Sequence, residues 1–296
     1  MNLAKIFLDT QELYNTNSKL IAACEYSRSN QMFVGANESI DCEVNRFDVD
    51  CKILVSKKRS FEAAEDYARK GDKVAVLNFA NSFNPGGGVV QGARAQEECL
   101  CRVSTLYDSL VSKEMLEKFY KPHCKTENDL ATDNIIYTPK VLVFKLDTAE
   151  PKLRPESEWF YADVITCAAP CLEPDMQGIT CEELKKLHDS RARHILGVAC
   201  KYEADVLILG AFGCGAFSNP PEIVAEVYKD VLSDYLHAFK AIEFAVYCSV
   251  RDSKNYEVFK KLLENFKLPP TPDWKGCRRQ DRRKAGRSGS VALESG

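Results

Sequence analysis

Apolar runs of strand length recur along the chain, each followed by a glycine or proline turn and then by an amphipathic stretch. Lys73-Val74-Ala75-Val76-Leu77-Asn78-Phe79-Ala80 has this form, as do Val141-Leu142-Val143-Phe144, Asp163-Val164-Ile165-Thr166-Cys167, the run 205–210 and the run 243–248. Short continuous apolar runs suit strands covered on both faces, since a strand buried on one face alternates with polar residues. Helix signals fall between them. Ser60 is placed to cap a helix running through Arg69, with Gly71 to end it. Thr180 and Glu183 form a capping box that opens a helix towards Tyr202. Asn219-Pro220-Pro221-Glu222 offers Asn as a cap and Pro at the first helical position. Strands alternating with helices predict an α/β sandwich about a mixed, mainly parallel sheet.

No repeat and no linker interrupts the chain before about residue 270, which predicts a single domain over 1–270 that includes an N-terminal helical extension. Past Leu268-Pro269-Pro270-Thr271-Pro272 the periodicity stops. The segment 271–296 reads as a basic, disordered tail. Its Cys277–Lys284 stretch suits nuclear import or polyanion binding, but a solvated tail with no specific task is the favoured reading.

Charge sharpens this division. The net charge is −3, but residues 275–296 carry seven basic residues against two acidic ones, leaving the rest of the chain at −8. An acidic body excludes broad nucleic-acid binding by the fold, while leaving room for a local anion site made of backbone amides. No apolar run approaches the roughly 20 residues that cross a bilayer, and the N-terminal residues lack the pattern of a secretory signal. The 13 cysteines are spread through the chain, many inside apolar runs, as expected of reduced core thiols. Cys167, Cys171 and Cys181 are a remote candidate metal set, and neither metal nor cofactor is expected. The expectation is a monomer in the cytoplasm or nucleus, away from membranes and from specific nucleic acid.

The densest chemistry lies between Val76 and Tyr107. A strand ends in Asn78-Phe79-Ala80-Asn81 and is followed shortly by Gly86, Gly87 and Gly88. Consecutive glycines suit a backbone with unusual dihedrals, or one that a ligand approaches closely. After the spacer Val89–Ala95 come Gln96-Glu97-Glu98, opening a helical stretch. Paired acids at a helix start are ordinarily explained by the helix dipole. Attached to a glycine loop that can surround a sugar or phosphate, they gain another reading. Glycosidic cleavage needs a carboxyl to protonate the departing oxygen. Adjacent carboxyls beside a phosphate-bearing substrate raise carboxyl pKa values towards neutrality.

A second loop, Gly210-Ala211-Phe212-Gly213-Cys214-Gly215-Ala216-Phe217-Ser218-Asn219, joins a strand to the Pro221 helix. Such a turn places amides and a helix N-terminus around a diphosphate. It is neither a Walker loop nor a dinucleotide fingerprint, since no Gly-Lys-Ser/Thr ends it and Ser218 stands where a third Gly or Ala belongs.

Together these loops resemble the macrodomain superfamily, and within it the microbial-type poly(ADP-ribose) glycohydrolases. The resemblance rests on three glycines, a short spacer and Gln-Glu-Glu, with similar flanks at Leu77–Asn81 and Leu100–Tyr107, and spans roughly residues 1–265. It implies a three-layer α/β/α macrodomain-like sandwich. It also implies hydrolysis of the ribose–ribose O-glycosidic bond of poly(ADP-ribose). Glu98 would be the general acid and then the base for the attacking water, and Glu97 would hold the ribose hydroxyls. Gln96 belongs to the same binding element. Gly86, Gly87 and Gly88 would pass close to the terminal ribose and diphosphate, and Asn81 near that ribose. Gly213, Cys214, Gly215 and Ala216 would supply amides to the diphosphate, with Phe217 packed on the ribose. The substrate partner would be poly(ADP-ribose) or ADP-ribosylated protein.

Three alternatives remain open. A non-catalytic ADP-ribose reader would lack the Gln-Glu-Glu element present here. A hydrolase of mono-ADP-ribosylated protein or nucleic acid would differ in how its loops close around the distal ribose. A nucleotide phosphohydrolase would need clustered acidic metal ligands, and none are suitably spaced.

Overall fold

The computed structural model describes residues 2–126, 128–173, 178–249 and 252–264. The basic tail expected over 271–296 lies outside the described residues. The chain opens with helices α1 (Leu3–Thr16) and α2 (Ser18–Asn30), followed by strands β1 (Met32–Val34) and β2 (Lys52–Ser56). Then come α3 (Ser60–Ala68), β3 (Val74–Ala80), α4 (Gln96–Val103) and α5 (Leu106–Leu110). A helical segment of α6 (Lys113–Met115), a π turn over 116–120 and α7 (Lys121–Thr126) leads to β4 (Ile135–Val143) and β5 (Phe160–Ala168). The chain continues through α8 (Cys181–Lys201), β6 (Val206–Leu209), α9 (Pro221–Val231), β7 (Ala241–Ala245) and α10 (Lys254–Leu263).

The seven strands form one sheet in the order β1-β4-β5-β3-β6-β7-β2. From β5 to β2 every pair is parallel, and β4 runs antiparallel to both of its neighbours. Alternation along each strand divides the core. Ala75, Leu77, Leu207 and Leu209 face α8, α9 and α10, where Ile195, Val224 and Phe259 are fully buried. Val74, Val76, Val206 and Ile208 face the other layer, built on Phe7 of α1, Phe61 of α3, Leu100 of α4 and Leu106 of α5. The result is a three-layer α/β/α sandwich, in which strands covered on both faces account for the unbroken apolar runs.

Each expected strand is present, with shifted limits. The Val141 run supplies only the last three residues of β4, and the run 243–248 forms a strand only to Ala245. Thr180 and Glu183 cap α8 reciprocally. Ser60 is the first residue of α3 rather than its cap. Asn219 does not cap α9: Pro220 holds that position, and the Asn219 side chain turns into the preceding loop.

The parallel strands place the loops after β3, β6 and β7 at one edge of the sheet. The chain leaves β3 towards β4 and β5 but leaves β6 towards β7, so a crevice opens between these two strands. In open α/β sheets such a switch point is where ligands bind.

Candidate active site

At the end of β3 the ladder to β6 stops at the pair Val76–Ile208. The Gln96 carboxamide then stands in for the peptide group of a neighbouring strand. Its Oε1 accepts from Phe79 N at 2.9 Å, and its Nε2 donates to Leu77 O at 2.7 Å and Ser60 Oγ at 3.0 Å. Gln96 therefore fixes the first turn of α4 to the sheet, and with it the two glutamates that follow.

Glu97 is 3% exposed. Its Oε1 accepts from Asn78 Nδ2 at 3.2 Å and its Oε2 from Asn81 N at 2.8 Å. Burial pushes its carboxyl up to about 8, against the pull of the Asn81 amide and Asn78 and with a further push from the Glu98 carboxyl. Glu98, 7% exposed, accepts from Gly88 N through Oε1 at 2.9 Å. Its Oε2 is buried without a hydrogen-bond partner among the described residues.

The raised Glu97 value has a consequence for stability. A buried acid favoured in its neutral form supports the fold fully below its unfolded value of 4.5, and that support is lost as pH rises through about 8. Glu97→Gln is expected to flatten the fall of unfolding free energy between those values, by up to about 1.4 kcal/mol per pH unit. Urea unfolding across that range measures the slope, which is independent of any uniform loss caused by the amide. Parallel slopes in wild type and variant would refute it.

The glycine loop abuts these carboxyls. At Gly87, with φ +57°, a Cβ would stand 2.4 Å from Glu98 Oε1 and 3.2 Å from Glu97 Oε2. Gly87 and Gly88 pack directly against these carboxyls, and Gly86 packs against Tyr107 and Val89. Asn81 lines the cavity beside the glutamates. Its Oδ1 folds the loop by accepting from Phe83 N and Asn84 N, both at 2.8 Å.

The loop after β6 is pinned by Asn219, which is 2% exposed. Asn219 Nδ2 donates to Pro170 O at 2.7 Å, Gly213 O at 3.0 Å and Phe217 O at 3.2 Å. Its Oδ1 accepts from His188 Nε2 at 2.8 Å, and burial pushes that imidazole down to about 4, so the ring is neutral. A Cβ on Gly213, whose φ is +76°, would meet Asn219 Nδ2 at 2.6 Å. So pinned, the loop leaves the N–H groups of Gly213, Gly215, Ala216 and Phe217 without acceptors among the described residues. These four residues line the cavity and Cys214 does not. Burial pushes the Cys214 thiol up to about 12, which makes it a poor nucleophile.

The cavity measures about 410 Å³ and joins the glutamates, Gln96, Asn81 and the four loop residues. It also includes Arg59, Asp147, Val246, Tyr247 and Asn255, which carry no sequence signal. They come from the start of α3, the loop after β4, the end of β7 and the start of α10, and only the tertiary fold unites them. A mixed α/β/α sandwich with two glycine loops and a buried carboxyl pair at one sheet edge defines a macrodomain-like protein.

Comparison with known proteins narrows the class. Residues 7–146 match the family model of the microbial-type PARG catalytic domain. The structure is similar to that of poly(ADP-ribose) glycohydrolase from Thermomonospora curvata, at 27% identity and a TM-score of 0.78, covering 88% of this chain and 98% of that one. The same enzyme bound to the inhibitor ADP-HPD gives 28% identity, a TM-score of 0.77 and the same coverage. Poly(ADP-ribose) glycohydrolase from Deinococcus radiodurans in complex with ADP-ribose gives 30% identity and a TM-score of 0.74, covering 83% of this chain and 98% of that one. No curated protein sequence matches the chain. The chain belongs to the microbial-type poly(ADP-ribose) glycohydrolase family.

Proposed function

We propose that this protein hydrolyses the ribose–ribose O-glycosidic bond of poly(ADP-ribose) and releases ADP-ribose, with Glu98 as the proton-transferring residue. The observation that carries the assignment is the unpartnered Oε2 of Glu98, a buried carboxyl oxygen on a residue of the cavity wall. Both oxygens of Glu97, by contrast, are held by Asn78 and Asn81.

The Glu98 carboxylic acid gives its proton to the departing ribose oxygen as the bond to the anomeric carbon breaks. The resulting carboxylate stabilises the oxocarbenium-like centre. It then takes a proton from the water that attacks that carbon, restoring the acid. Glu97 presents its fixed carboxyl to the ribose hydroxyls, with Asn81 beside it, and Phe217 packs on the ribose. The free amides at Gly213, Gly215 and Ala216, with the N-terminus of α9, meet the diphosphate charge. Among the described residues all cysteines are unpaired, which suits a reducing compartment, cytoplasmic or nuclear.

The test is to incubate the protein separately with poly(ADP-ribose) and with mono-ADP-ribosylated protein, and to separate the products chromatographically. Free ADP-ribose from the polymer is expected. Release from the mono-modified protein alone would transfer the activity to that substrate. Binding of ADP-ribose with no release from either would make the protein a reader.

A further inference from the structure

Beside the catalytic cavity lies a second one of about 280 Å³, enclosed by α4, the starts of α1 and α3, and the loop after β4. The two share Arg59, Arg94, Cys99, Asp147 and Tyr247, so they are contiguous. Arg94 and Cys99 flank the glutamate pair in the chain, which puts the junction beside that pair.

The walls of this second cavity hold polar atoms that the fold leaves unanswered. Arg102, one helical turn beyond Glu98, is 1% exposed, and its Nη1 has no hydrogen-bond partner among the described residues. Its Nη2 donates to Cys99 Sγ at 3.6 Å, and Arg59 Nη1 donates to the same sulfur at 3.3 Å. Asp147, 5% exposed, accepts from Phe61 N through Oδ2 at 3.2 Å. Its Oδ1 makes no hydrogen bond and lies 3.9 Å from Arg59 Nη1. Arg94 is exposed, and its guanidinium makes no hydrogen bond or ion pair with a described residue. A buried, unpaired guanidinium nitrogen costs stability, so its retention points to a ligand that completes it. Three arginines against one carboxylate select an anion, and the fork of a guanidinium matches phosphate oxygens.

We propose that this cavity is a subsite for a phosphate group of the ADP-ribose unit on the leaving side of the scissile bond, gripped by Arg59, Arg94 and Arg102. The inference rests on the polymer-cleaving reading above. It gives that reading a physical basis for preferring polymer over a single attached unit, because only the polymer carries a second diphosphate.

The test uses Glu98→Gln protein, to prevent turnover, in calorimetric titrations with ADP-ribose, with its two-unit oligomer and with an ADP-ribosylated acidic peptide. The oligomer is expected to bind about tenfold more tightly than ADP-ribose, roughly one charge-assisted bond's worth. Adding Arg94→Ala, or Arg102→Lys to keep the buried charge, is expected to draw that ratio towards one. Equal affinity for both ligands overturns the subsite and leaves the proposed function standing. Binding of neither ligand removes the proposed function itself. Equal losses for both ligands in the arginine variants would assign those residues to the first cavity or to the scaffold. Two ADP-ribose molecules bound per chain would make the site one for free nucleotide. An arginine-dependent gain with the acidic peptide would make it one for protein carboxylates. Each of these three results overturns the proposal.

Discussion

Glu98→Gln is expected to lower kcat on poly(ADP-ribose) by about a hundred- to ten-thousandfold, the range for loss of a positioned general acid–base group. ADP-ribose should bind with nearly unchanged affinity. The reason lies in how the two carboxyl oxygens are used. Gly88 N donates to Oε1, and glutamine keeps an acceptor oxygen there. The atom that becomes an NH₂ group is Oε2, which has no partner among the described residues, so the change breaks no internal hydrogen bond. Glutamine can neither give a proton to the leaving oxygen nor take one from water. Rates of ADP-ribose release, paired with calorimetric binding, separate the two effects. A variant within tenfold of the wild-type kcat would remove Glu98 from the chemistry. Loss of binding in step with rate would mean the carboxylate shapes the site rather than acting in it.

The parts of this site that could be read from the sequence are those built by local chain. The glycine run and Gln96-Glu97-Glu98 lie on either side of one spacer and meet because the loop folds back on the first turn of α4. Their proximity is almost a property of the segment. The same holds for the capping box at Thr180, whose partners are three residues apart. Where a local rule competes with tertiary demand, it fails. Asn219 followed by two prolines satisfies every criterion for a helix cap, yet its amide is taken by three carbonyls and a neutral histidine across the loop. The apolar run through β7 outlasts the strand because Val246 and Tyr247 serve the cavity wall. β1 and β2 gave no clear pattern: one has three residues, and the other is a half-buried edge strand. Arg59, Arg102 and Asp147 stand in no pattern that separates them from the other charged residues, because their burial comes from elements distant in the chain.

Gly87→Ala is expected to cost activity far out of proportion to stability. Two effects coincide at this position. The backbone is left-handed, with φ at +57°, which an alanine adopts at a cost of about 1–2 kcal/mol. The new methyl would also stand 2.4 Å from Glu98 Oε1, well inside contact distance. The atom it strikes is the end of a side chain, so the fold can yield by moving the carboxyl and giving up its bond to Gly88 N. That relief is tolerable for stability and damaging for chemistry, since the displaced group is the one that must meet the leaving oxygen. A displacement of about 1 Å is enough to lower kcat roughly a hundredfold. Gly71→Ala separates the two effects. Its φ is +88° and nothing lies within 4 Å of the added Cβ, so it carries the backbone strain without touching the glutamates. The comparison is of kcat on the polymer and of unfolding free energy in urea. Similar destabilisation with a rate loss confined to Gly87→Ala is the expected result. If Gly87→Ala keeps kcat near wild type, the glycine loop does not set the position of Glu98. If Gly71→Ala loses as much rate, backbone strain alone explains the effect and the contact with the carboxyl is incidental.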